Sequence, residues 1–129
     1  MSKHTSIKTA ALSGALAVAL GAFGAHALKP MLLETGRLDT FELAVRYQFY
    51  HTLALLFTGI AQSLYQSAYL RLSAIGFTSG ILLFSGSLYA LCFTGHTWIA
   101  FITPFGGTLL IGGWLLLLTG VLKSKSHSG

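Results

Sequence analysis

Long apolar runs broken by sparse charges set the pattern of this chain. No Asp, Glu, Lys or Arg occurs from Thr9 to Leu28, from Tyr47 to Leu70, or from Leu72 to Leu122. A helix rises about 1.5 Å per residue, so each of the first two runs matches a hydrocarbon core of about 30 Å. The third is about twice too long for one crossing. It must turn back once, at Thr94-Gly95-His96-Thr97, the polar cluster near its middle. Helices are therefore predicted over about 7–28, 40–67, 72–93 and 104–122, with a polar loop over about 29–39.

Local signals refine these bounds. Lys29-Pro30 closes the first helix, because the residue before proline is pushed out of the helical region. Asp39 is placed to cap the second, with Glu42 reaching back and Leu38 and Leu43 spaced as a hydrophobic staple. Glu42 and Arg46, four apart, form an expected surface pair worth about 0.2–0.5 kcal/mol. Thr103 reads as an N-cap with Pro104 at the first helical position. Ile99 to Ile102 form an interfacial connector beneath Trp98, an aromatic suited to headgroup level. Ser124 to Gly129 read as a short disordered tail.

Composition says what surrounds these helices. The chain has 129 residues, 53% hydrophobic and 9% charged, against about a quarter charged in ordinary soluble domains. Too little charge is present to cover a water-facing surface, so the lipid bilayer is the expected solvent. The length allows about four crossings and excludes a soluble catalytic domain. The fold class expected is an all-α membrane protein, one domain over 1–129, with four transmembrane helices in a compact left-handed bundle. The net charge of +5 comes from Lys and Arg scattered between apolar runs, so nucleic acid is excluded as a partner. Cys92 is the sole cysteine, which excludes an internal disulfide and a cysteine-based metal cluster.

The cations report orientation instead. Lys3, Lys8, Arg71, Lys123 and Lys125 fall on the side of the termini with no acidic neighbour, whereas Lys29, Arg37 and Arg46 share the other side with Glu34, Asp39 and Glu42. The positive-inside rule then places both termini in the cytoplasm. A competing reading takes Lys3 and Lys8, an apolar stretch and Ala25-His26-Ala27 as a cleaved signal peptide. The uncharged run is long enough to span and carries a packing stripe, which favours a retained helix.

Helices in lipid associate through close contact that small residues permit. Small residues recur seven apart: Gly14 and Gly21; Ser73, Gly80 and Ser87; Gly106, Gly113 and Gly120. That spacing keeps one stripe in contact through a left-handed crossing of about 20°.

Polar groups within these helices are the candidate chemistry, since a charged residue at the bilayer centre costs about 2.5–3.5 kcal/mol on insertion scales. The topology brings His26, His51 and His96 toward one end. Gln48, His51, Thr58 and Gln62 fall within about 80° of arc and should face the bundle interior, where His26 could meet His51 or Gln48. Three readings are open: hydrogen-bonded glue that sets helix register, a proton or small-solute path through imidazoles, and haem or zinc ligation by the histidines. Glue ranks first and metal last, because glycine-packed helices leave little space for a porphyrin and no intramembrane carboxylate assists a relay. No nucleophile–base pair, phosphate loop or paired carboxylates are present. Ser85-Gly86-Ser87 lacks a partner base and reads as packing.

Four phrases in order resemble one family: Gly21-Ala22-Phe23-Gly24-Ala25-His26, Val45-Arg46-Tyr47-Gln48 with His51, Phe84-Ser85-Gly86-Ser87-Leu88-Tyr89, and Thr103-Pro104-Phe105-Gly106-Gly107 followed by Gly113-Trp114. They resemble domain-of-unknown-function family 423, whose animal relatives are called transmembrane protein 256, over nearly the whole chain. Phe105 departs from the pattern, standing where a smaller aliphatic residue is expected. The resemblance implies a four-helix inner-membrane protein and assigns no activity. It emphasises His26, Arg46, Tyr47, Gln48, His51, Ser87 and Tyr89 as a candidate polar site, together with Pro104 and Gly107. The expected function is that of a structural, accessory or interaction protein with no enzymatic activity, metal or cofactor. Its partner would be a membrane protein or a second copy, and the alternative is a small transporter using His26, Gln48 and His51.

Overall fold

The computed structural model describes residues 1–124, and all its elements are helical. Helix α1 runs Lys3–Ala25, α2 Lys29–Glu34, α3 Leu38–Leu64 and α4 Ala68–Thr94; a 3₁₀ turn over Thr97–Phe101 leads into α5, Thr103–Lys123. The tail predicted from Ser124, and Lys125 with it, lies beyond Ser124 outside the described residues.

The ends of the helices correct several local expectations. α1 starts early because the Ser2 hydroxyl accepts the Thr5 N–H. It stops at Ala25, where the chain turns and Leu28 N–H bonds Phe23 O at 2.8 Å. Pro30 therefore opens α2, where a missing first-turn N–H costs nothing, and does not close α1. The loop predicted over 29–39 is in large part this helix. Its Leu32, fully buried, joins Phe41 and Cys92 in a cluster that closes one end of the molecule. At α3 the N-cap residue is Arg37 without a side-chain bond, and Asp39 sits inside the first turn, where its charge still suits the helix dipole. The predicted capping box does not form. Nor do Glu42 and Arg46 make an ion pair; both line a small surface cavity of about 190 Å³ beside α1. Thr103 likewise does not cap α5, because its hydroxyl bonds Ser87 across the helix pair. Gly95, with φ of 71°, ends α4 in the left-handed region that only glycine adopts at no cost.

The long helices pack as a row. α1 lies on α3, α3 on α4 and α4 on α5, while α1 makes no extended contact with α4 or α5. Glycine sets two of these spacings. Gly14 and Gly21 face Thr52 and Val45 of α3, and Gly59 of α3 faces Ile7. Between α4 and α5, Gly80 receives Leu110, Gly113 receives Phe77 and Gly120 receives Leu70, while a Cβ at Gly106 would overlap the Phe84 backbone. The Ser73 hydroxyl donates to Gly113 O at 2.8 Å, a bond that such close backbones permit.

Three stretches are long and apolar enough to cross a membrane: Lys3–Ala25, Ala68–Thr94 and Thr97–Lys123. α3 is as long as α4, at 27 residues, but is not among them. Its polar stripe lowers its hydropathy, and that stripe turns inward: Gln48, His51, Thr52 and Thr58 are all buried.

Candidate functional site

The polar residues of α3 feed separate interfaces and do not share one cavity. Toward α1 and α4, Gln48 donates from Nε2 to Ser13 O at 3.0 Å and accepts the Tyr89 hydroxyl at 2.7 Å. Its amide thus bridges three helices. One turn on, the hydroxyls of Thr52 and Ser13 lie 2.6 Å apart, and Ser85 donates to Ala44 O at 2.7 Å. Each bond reaches a backbone carbonyl or hydroxyl on a neighbouring helix, as expected where water is scarce and polar groups must satisfy one another.

His51 faces the α4/α5 side. Its Nδ1 lies 2.7 Å from Tyr47 O, so Nδ1 carries the proton in that bond. Around the ring stand Tyr47 at 5.7 Å, Phe77 at 6.0 Å and Trp114 at 6.1 Å between centroids, and Tyr47 stacks in turn on Phe84 at 4.7 Å. This is an aromatic box around an imidazole. Ser87 serves a third interface, bonding Phe84 O at 2.9 Å and the Thr103 hydroxyl at 2.7 Å.

His26 and His96 do not join them. His26 is exposed at the end of α1 with no side-chain partner, and His96 is exposed in the turn after α4. Arg46 is exposed as well. The predicted meeting of His26 with His51 or Gln48 therefore fails, because α1 ends before its chain can fold His26 inward. Among the described residues no three His, Cys, Asp or Glu side chains converge. No buried side-chain nitrogen or oxygen among them lacks a partner.

Sequence reading missed two features. The first is the set of partners at the far end of the α3 stripe, where Gln62 accepts from Ser6 at 3.1 Å and donates to Met1 O and Leu70 O, both at 3.2 Å. Gln62 thereby ties the start of α1 to the start of α4. The second is a groove of about 320 Å³ between α1 and α4, floored by Gln48, that exists because those two helices do not close on each other. Ser6 and Ser13, seven apart on α1, were the available signal for the polar contacts between α1 and α3.

The family described as "Protein of unknown function (DUF423)" matches residues 20–107. The chain belongs to that family. Its DUF423 relatives include a UPF0382 membrane protein of Haemophilus influenzae, 45% identical over 96% of this chain and 98% of that protein. The UPF0382 inner membrane protein YgdD of Escherichia coli K12 is 41% identical over 90% of this chain and 88% of its own length. A UPF0382 membrane protein of Staphylococcus saprophyticus is 43% identical over 88% and 92%. No solved structure matches.

Proposed function

We propose that this DUF423 chain is an inner-membrane structural or accessory protein without enzymatic activity. In this reading α1, α3, α4 and α5 each cross the bilayer, with left-handed contacts and both termini in the cytoplasm, and the protein acts by packing against a membrane-protein partner or a second copy. One observation carries the reading: every buried polar side-chain atom among the described residues is satisfied internally. Groups held in this way set helix register, which favours packing over passage of a solute. The buried polarity of α3 also supports its crossing, because α1 and α4 shield it from lipid on two sides. Large side chains such as Phe57, Leu82 and Leu118, all more than half exposed, leave the outer faces of the row free for lipid or a partner.

Purification of the tagged chain from native membranes tests this reading. A stoichiometric membrane partner, or a defined homo-oligomer, is the expected result. A lone monomer that carries protons or solute across proteoliposomes, with flux abolished by Gln48→Leu or His51→Phe, would replace it with the transporter reading.

A further inference from the structure

Two cavities share the cleft between α1 and α4. The first, about 390 Å³, opens where α1 and α4 begin and is lined by Lys3 and Arg71 together with Met1, Gln62 and Tyr65. Neither cation has an ion-pair partner among the described residues. None is within reach: the acids Glu34, Asp39 and Glu42 stand before α3 or in its first turns, and the cavity at its end, about 30 Å or more away at ~1.5 Å per residue.

The second cavity is the apolar groove, walled by residues from Thr9 to Leu20 on α1 and from Thr78 to Tyr89 on α4. Met1 joins the two. It lines the cationic cavity, and its sulfur accepts the hydroxyl of Thr78 at the mouth of the groove. The far end is blind, because Leu20 and Tyr89 pack there against the Leu32–Phe41 cluster. Leu12, Leu16 and Leu82 are each at least half exposed along its rim, so it opens sideways to the bilayer.

The dimensions suit one ligand. Lys3 lies six residues before Thr9 and Arg71 seven before Thr78, so each cation stands about 10 Å beyond the groove mouth on its own wall. Each wall of the groove spans twelve residues, about 16 Å from first to last, against about 15 Å for half the hydrocarbon core. We propose that this face holds a single anionic phospholipid, its phosphate between Lys3 and Arg71 and one acyl chain lying in the α1/α4 groove as far as Gln48 and Tyr89. The proposal rests on the membrane placement argued above and is independent of any protein partner.

The test uses the full chain in nonionic detergent, with native mass spectrometry against phosphatidylglycerol, phosphatidylcholine and inorganic phosphate. Phosphatidylglycerol should bind one per chain and outcompete phosphatidylcholine. Lys3→Gln and Arg71→Gln, both at exposed positions, should each weaken it about fivefold, the effect of one cation at an anionic lipid surface. Gly86→Leu should weaken it as well, because Gly86 lines the groove and a Cβ there meets nothing within 4 Å, so the added side chain occupies the groove with the fold intact by circular dichroism. Inorganic phosphate binding as tightly, with Gly86→Leu silent, would reduce the site to a free-anion pocket and overturn the proposal. Equal retention of both lipids, unchanged in the Gln variants, would reduce it to nonspecific lipid and overturn it too. Either failure would leave the partner-purification result untouched.

Discussion

At the scale of single residues, Gln48 is the group on which three helices depend. Its two amide ends are used on different neighbours, Ser13 O and Tyr89, so truncation strands a carbonyl on one side and a hydroxyl on the other. Gln48→Leu should cost about 1–2 kcal/mol, near the upper end for interhelical polar contacts in membranes. Equilibrium unfolding in mixed micelles would measure it. A cycle with Tyr89→Phe should show coupling of about 0.6 kcal/mol, and strict additivity would mean the bond contributes nothing. His51 differs in kind: one bond to its own helix and three aromatic neighbours make it a packing unit, though the same helical face carries both residues.

At the scale of helix pairs, glycine is important where backbones touch and neutral where they do not. Gly106 and Gly112 lie on the same helix, yet a Cβ at Gly106 would strike the Phe84 backbone while one at Gly112 meets nothing within 4 Å. Gly106→Ala should therefore lower the melting temperature in detergent markedly. Gly112→Ala should hold or raise it, since alanine is favoured over glycine in a helix by about 0.5–1 kcal/mol. Fluorescence melts using Trp114 and Trp98 would separate the two, and equal effects would show that the α4/α5 spacing is not set by glycine. Ser73 adds a test of direction: Ser73→Ala removes only the hydroxyl and its bond to Gly113 O, and should destabilise by about 0.6 kcal/mol.

At the scale of the whole molecule, charge is sorted between the two ends. Lys3, Lys8, Arg71 and Lys123 occupy the end where α1 and α4 begin and α3 and α5 finish, and all three acids occupy the other with Lys29, Arg37 and Arg46. The proposed cytoplasmic placement of both termini is tested by single cysteines in a Cys92→Ala background. Cysteine at Ser2 or Ser67 should react with an impermeant maleimide only after the membrane is opened, and cysteine at Gly36 or His96 in intact spheroplasts. Ser2 and Ser67 labelling on opposite sides would remove a crossing and with it the four-span arrangement.

Hydrophobic spacing alone determined that the chain is helical, roughly where its long helices lie, and which glycines could face a neighbour, because those properties follow from local periodicity and the energy of apolar surface in lipid. Tertiary structure alone decided the partners of the polar stripe. A helical face about 80° wide touches more than one neighbour, so the same arc sends Gln48 toward α1 and α4 and His51 toward α4 and α5. The isolation of His26 was equally hidden, since it depends on where α1 stops and how Pro30 starts a new helix. So was the open cleft between α1 and α4: which helices leave a gap depends on the order in which the row is assembled, and no stretch of sequence encodes that order by itself.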